Sequence, residues 1–106
     1  MSEIIELTTT TETQAQAQLL ARQLVDSRLA ACVQITGPID SIYRWQGQVC
    51  EAREYRCTVK SIKRLSQQLV QEVVRQHPYE TPEILVVDIA HCSDAYAQWL
   101  VSQVRP

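Results

Sequence analysis

The chain has 106 residues, 45% of them apolar, with a formal charge of −2 and an isoelectric point near 5.6. This length suits one domain spanning residues 1–106, and a good apolar fraction with only two glycines argues against disorder. An acidic chain without a basic face is a poor nucleic-acid binder, no run nears the ~20 apolar residues of a membrane span, and Met1-Ser2-Glu3 lacks the start of a secretion signal. The expectation is a soluble cytoplasmic protein that engages neither nucleic acid nor membrane. Cys32, Cys50, Cys57 and Cys92 show no CxxC spacing and are expected as free thiols of a reducing compartment.

Residues 4–10 are short, β-branched and apolar, which predicts a first strand. Thr11 and Gln14 then form a T-x-x-Q capping box. Ala17, Leu20, Ala21, Leu24 and Arg28 recur at helical spacing, so an amphipathic helix should end near residues 27–29. Residues 31–35 resume a strand pattern until Gly37-Pro38, a pair that marks a bulge or bend at an edge. The strand continues over 39–45, and Gln46-Gly47 supplies a turn. On the return strand Tyr55, Cys57 and Val59 share one face, Arg56, Thr58 and Lys60 the other. Ser61 is the expected cap of a second helix, whose stripe is Ile62, Leu65, Leu69, Val73 and Gln76. Residues 83–90, a nearly continuous apolar run, fit a central strand buried on both faces. Ser93-Asp94 caps a last helix carrying Tyr96, Trp99, Leu100 and Val104.

The order β-α-β-β-α-β plus a C-terminal helix predicts an α+β, ferredoxin-like sandwich built from a split βαβ pair. Each hairpin arm of roughly 12 residues reaches about 40 Å, whereas helices of roughly 14 residues span about 21 Å. The helices therefore leave the far half of the hairpin uncovered, with Ile42, Tyr43, Trp45 and Val49 on it. Exposed apolar hairpins aggregate unless something pairs with them. A homo-oligomer follows, with Tyr43-Arg44-Trp45 inserted between subunits and Trp99 also at the interface.

Several segments together resemble the divalent-cation-tolerance CutA family. They are Leu7-Thr8-Thr9, Leu29-Ala30-Ala31-Cys32-Val33, Ser41-Ile42-Tyr43-Arg44-Trp45-Gln46-Gly47, Val59-Lys60-Ser61, His77-Pro78-Tyr79-Glu80-Thr81-Pro82-Glu83-Ile84, and Tyr96 with Trp99-Leu100. The resemblance covers nearly the whole chain. It implies a homotrimer with inter-subunit sheet pairing, an architecture like the PII signalling proteins, and an association with copper and other divalent cations. Some family members carry a cysteine at the place of Thr8 and a histidine at that of Gln76; this chain has neither.

His77 is the leading metal candidate, because imidazole suits divalent copper and Pro78 stiffens its backbone. Glu80, Cys32 or a residue of another subunit would complete its coordination. The competing reading has His77 capping the second helix, its partial charge matched to the helix dipole. Glu80 and Glu83 are candidate acids or ligands, or else fasten the connector to backbone amides. Tyr79 is expected against the last helix near Trp99. Lys60, Tyr79 and Arg44 would line a cleft for a small anionic ligand if the trimer worked as a PII-like sensor. His91, Cys92 and Asp94 form a further short cluster, of the kind that is usually incidental. No nucleophile elbow, P-loop or HExxH occurs, so no enzyme activity is expected.

Overall fold

The computed structural model describes residues 3–106. Strand β1 (Ile4–Thr11) leads to helix α1 (Gln14–Asp26) and then to the long strands β2 (Cys32–Trp45) and β3 (Gln48–Ile62). A short 3-10 turn, Lys63–Leu65, opens into helix α2 (Ser66–Gln76), followed by strand β4 (Leu85–Asp88) and helix α3 (Asp94–Gln103). The sheet order is β2-β3-β1-β4, with every neighbouring pair antiparallel. This is the expected ferredoxin-like arrangement.

Side-chain alternation decides the faces. Ile5 and Leu7 of β1 and Cys57 and Val59 of β3 are fully buried and pack against Ala17, Leu20 and Leu24 of α1 and Leu69 and Val73 of α2. Each large apolar side chain so buried contributes about 1.5–3 kcal/mol. Ile4 and Ile62 have the opposite parity and join Leu100 and Val104 in a second cluster, which seats α3 at one end of the other face. Between α3 and the hairpin that face is polar, with Glu6, Thr8, Thr58 and Lys60 on it.

The capping box exists two residues later than expected. Thr13 is the N-cap and Gln16 its partner, while Thr11 is still in β1, fully buried and paired with Tyr55. The segment reads T-x-x-Q in both registers, and the longer strand selects the second. Arg28 is not on the helix stripe. It adopts φ 62°, the left-handed turn that ends α1, with the Leu29 and Ala30 amides donating to the Leu24 carbonyl. Ser61 caps nothing. It lies in β3, fully buried, with Oγ donating to the Leu29 carbonyl at 2.6 Å, and Ile62 belongs to the strand as well. Helix α2 has no side-chain cap because the chain enters it through the 3-10 turn.

The apolar run before α3 is not a central strand. β4 keeps only four residues and sits at the sheet edge, with Leu85, Val86 and Val87 exposed at 59%, 39% and 52%. Its apolarity therefore faces outward in the isolated chain. Gly37-Pro38 does mark a bulge: Thr36 pairs with Arg56 and Ile39 with Glu54, one residue longer on β2. Glycine is required there, because a Cβ on Gly37 would lie 2.5 Å from the Tyr55 ring. At the tip, Gln46 (φ 50°) and Gly47 (φ 79°) form the tight two-residue turn.

Candidate functional site

The connector between α2 and β4 carries the chemistry that the sequence singled out. Pro78 favours extended geometry for the residue before it, and His77 is the C-cap of α2 at φ −71°, ψ 135°. Its ring turns inward to 9% exposure. Nε2 lies 2.8 Å from the Thr10 carbonyl, and the Tyr79 amide donates to Nδ1 at 3.1 Å. Nδ1 thus accepts and Nε2–H donates, which fixes one neutral tautomer. Burial lowers the His77 pKa, opposed by the Thr10 hydrogen bond and the nearby Glu54 charge. The ring locks α2, β1 and the connector together. His77 occupies the C-cap position of α2 through its backbone, while its neutral ring bonds to β1 and the connector and not to the helix carbonyls.

Tyr79 stacks at a tilt on His77, with centroids 4.8 Å apart, and its hydroxyl donates to Glu54 Oε2 at 2.8 Å. The expected packing against α3 gives way to a tie across to the hairpin. Burial pushes the phenol's pKa up, and the hydrogen bond to Glu54 and the charges of Glu54 and Glu12 push it further.

The connector and hairpin enclose an open groove of about 1180 Å³. Glu12, Glu51, Glu54, Glu80 and Glu83 line it, against one guanidinium, Arg53, which also pairs with Asp40 at 3.4 Å. Tyr43 and Trp45 form its outer wall and are 45% and 49% exposed. Such a groove repels anions and concentrates cations. Glu12, Glu51 and Glu54 were missed in the sequence because their proximity comes from the β1–β3 register, which sets Thr11 opposite Tyr55 and so brings the end of β1 beside the outer part of β3.

The remaining candidates do not meet within one chain. Cys32 pairs with Lys60, which pairs with Glu6, four residues along β1 from the Thr10 that holds His77. Cys32 and His77 therefore sit about 13 Å apart along the strands. Among the described residues no three His, Cys, Asp or Glu side chains come together to hold a metal ion. The set His77, Glu80 and Cys32 does not fit copper in a single chain, since both imidazole nitrogens are engaged and the thiol is remote. Lys60 donates to Gln34 Oε1 at 2.8 Å on the open sheet face, while Arg44 pairs with Val49 beside the hairpin tip. About 36 Å of strand separates Lys60 from that level. Trp99 lies on α3, 42% exposed and tilted against Tyr96. No helix among the described residues is long and apolar enough to cross a membrane.

Comparison with known proteins gives a consistent picture. The profile of the CutA1 divalent ion tolerance protein family matches residues 5–103. The Divalent-cation tolerance protein CutA of Thermus thermophilus is 40% identical over 100 residues, covering 94% of this chain and 95% of that protein. A relative named Protein CutA, chloroplastic, from Arabidopsis thaliana is 36% identical over 86 residues, covering 81% of this chain and 47% of that protein. Among solved structures, CutA from Synechococcus elongatus superposes with a TM-score of 0.94 at 40% identity, over 99% of this chain and 93% of that one.

Proposed function

The chain belongs to the CutA1 divalent ion tolerance family, and from that premise we propose that it is a homotrimeric, non-catalytic protein of the cytoplasm that meets divalent cations in the acidic groove. The observation that carries this reading is the groove itself, where five glutamates line a wall with a single arginine. Carboxylate oxygens suit hard and borderline divalent ions, copper(II) among them. One chain does not assemble a complete ligand set, so side chains of a neighbouring subunit complete it. Ile42 and Val49, 68% and 64% exposed on the hairpin, and the bare β4 edge are the surfaces such neighbours would cover. The alternative, a PII-like sensor of a small anion, receives less support, because Lys60 and Arg44 lie far apart along the hairpin, Tyr79 sits on the connector, and the groove is negative.

Light scattering should give a mass near three times 12.1 kDa. Calorimetric titration with copper(II) should show saturable binding that weakens at least tenfold in a Glu51→Gln, Glu80→Gln, Glu83→Gln variant. A monomer, or copper(II) affinity unchanged by that variant, would defeat the proposal.

A further inference from the structure

The acidic groove is larger and more dispersed than a single ion requires. It encloses about 1180 Å³. Its carboxylates come from separate stretches of chain: Glu12 just after β1, Glu51 and Glu54 on β3, Glu80 and Glu83 on the connector. Glu51 and Glu54 alone stand about 10 Å apart along the strand. Among the described residues no three His, Cys, Asp or Glu side chains converge as metal ligands would. Arg53, the one guanidinium of the lining, already faces Asp40 at 3.4 Å and so leaves the glutamates unmatched.

The walls also carry groups that recognise organic cations. Tyr43 and Trp45 lie two residues apart on β2, so strand alternation sets both rings on one side. Both are about half exposed, and neither stacks on another ring among the described residues. Ring faces attract ammonium groups and offer apolar surface to methylenes. Thr10, opposite Arg56, lines the inner end of the groove at 5% exposure, and its hydroxyl has no hydrogen-bond partner among the described residues. That hydroxyl is free to accept from an N–H donor. From the level of Trp45, opposite Gln48, to Glu54 the lining runs about 20 Å along β3.

We propose that this groove binds a linear aliphatic polyamine, its ammonium groups set against the separated carboxylates and its methylenes against Tyr43 and Trp45. Positive charges spaced along an apolar chain match carboxylates spaced along an aromatic wall. A metal ion instead needs its oxygen donors gathered within about 2.6 Å of one point. The role rests on the reading of the groove as a cation site and gives that site an organic occupant.

Calorimetric titration of the whole protein with spermidine at about 0.15 M salt tests it, with hexaamminecobalt(III) as a compact cation of equal charge. Spermidine should bind saturably and roughly tenfold more tightly than the cobalt complex. The Glu51→Gln, Glu80→Gln, Glu83→Gln variant should lose roughly tenfold in spermidine affinity, and Trp45→Leu about threefold, each checked by thermal melting and light scattering against wild type. The wild-type comparison of the two cations stands whatever the variants do. No saturable spermidine binding, equal affinity for the cobalt complex, or indifference to both folded variants overturns the assignment. If spermidine fails while copper(II) binding still depends on the three glutamates, the polyamine alone is removed; if both fail, the cation reading of the groove goes with it.

Discussion

Replacing His77 by alanine distinguishes a structural imidazole from a metal ligand. The substitution strands the Thr10 carbonyl and the Tyr79 amide, both held by the ring in a pocket where His77 is 9% exposed. A buried polar group left without its partner costs about 1–3 kcal/mol. Because water partly reaches the vacated site, the two losses and the missing ring contacts together come to about 3 kcal/mol. With a urea dependence of about 2 kcal/mol per molar, the unfolding midpoint should fall by about 1.5 M. The measurement needs one fixed protein concentration, since an oligomer's apparent stability varies with it. A pH series adds a second arm. The native His77 pKa lies below its unfolded value, so the unfolded chain binds the extra proton first. The stabilisation is complete above about pH 6.5 and drains away as pH falls through the native pKa, at no more than about 1.4 kcal/mol per pH unit. The alanine variant should lack this component, so the wild-type advantage narrows on acidification. A stability loss under about 1 kcal/mol with parallel pH profiles would refute the lock. Intact stability with abolished copper(II) binding would restore His77 as a ligand.

Other substitutions probe the frame around it. Arg28→Gly should raise stability by about 0.5–1 kcal/mol in urea unfolding, because glycine accepts φ 62° without the left-handed cost, and a loss would contradict that. Gly37→Ala should lower it by about 1–3 kcal/mol, since its Cβ would meet the Tyr55 ring at 2.5 Å; an unchanged midpoint means the ring moves freely. Tyr79 and Tyr96 are both held above the ordinary tyrosine range, so ultraviolet titration should find late-ionising phenols whose number falls by one in Tyr79→Phe; an unchanged number excludes the Glu54 tie. If β4 forms the proposed subunit interface, Val87→Lys, which charges its exposed edge, should shift the light-scattering mass towards 12.1 kDa, whereas an unaltered mass would place the interface elsewhere.

The layers and the order of elements along the chain were legible because alternation in β3 and helical spacing in α1 and α2 agree with one burial pattern. Helix starts were less so. Thr11 and Thr13 offer the same capping motif, and only the pairing of Thr11 with Tyr55 in the sheet chooses between them. Ser61 carries a cap's side chain but lies within strand pairing that runs on to Ile62. The run Leu85–Asp88 is apolar enough for a sheet centre, yet composition does not say how many neighbours a strand has. At the site, His77 and Tyr79 were singled out in the sequence, but the partners that hold them in place were not. Thr10 and Glu54 lie 67 and 25 positions away, a distance that only strand register closes.

Strand β1 pairs with β3 across about fifty residues and with β4 across nearly eighty, as Leu7 opposite Val59 and Val86 indicates. The β2–β3 hairpin needs only neighbours in sequence and can close within microseconds. During synthesis β1 emerges first and waits unpaired until the hairpin, and later β4, has been made. Long-range closure of this kind slows folding and prolongs the exposure of a lone strand. The four consecutive threonines Thr8–Thr11 keep β-propensity while giving half of that waiting strand hydroxyls instead of a sticky aliphatic run. Thr8–Thr11 thus let the strand wait in solution for partners that the ribosome has yet to deliver.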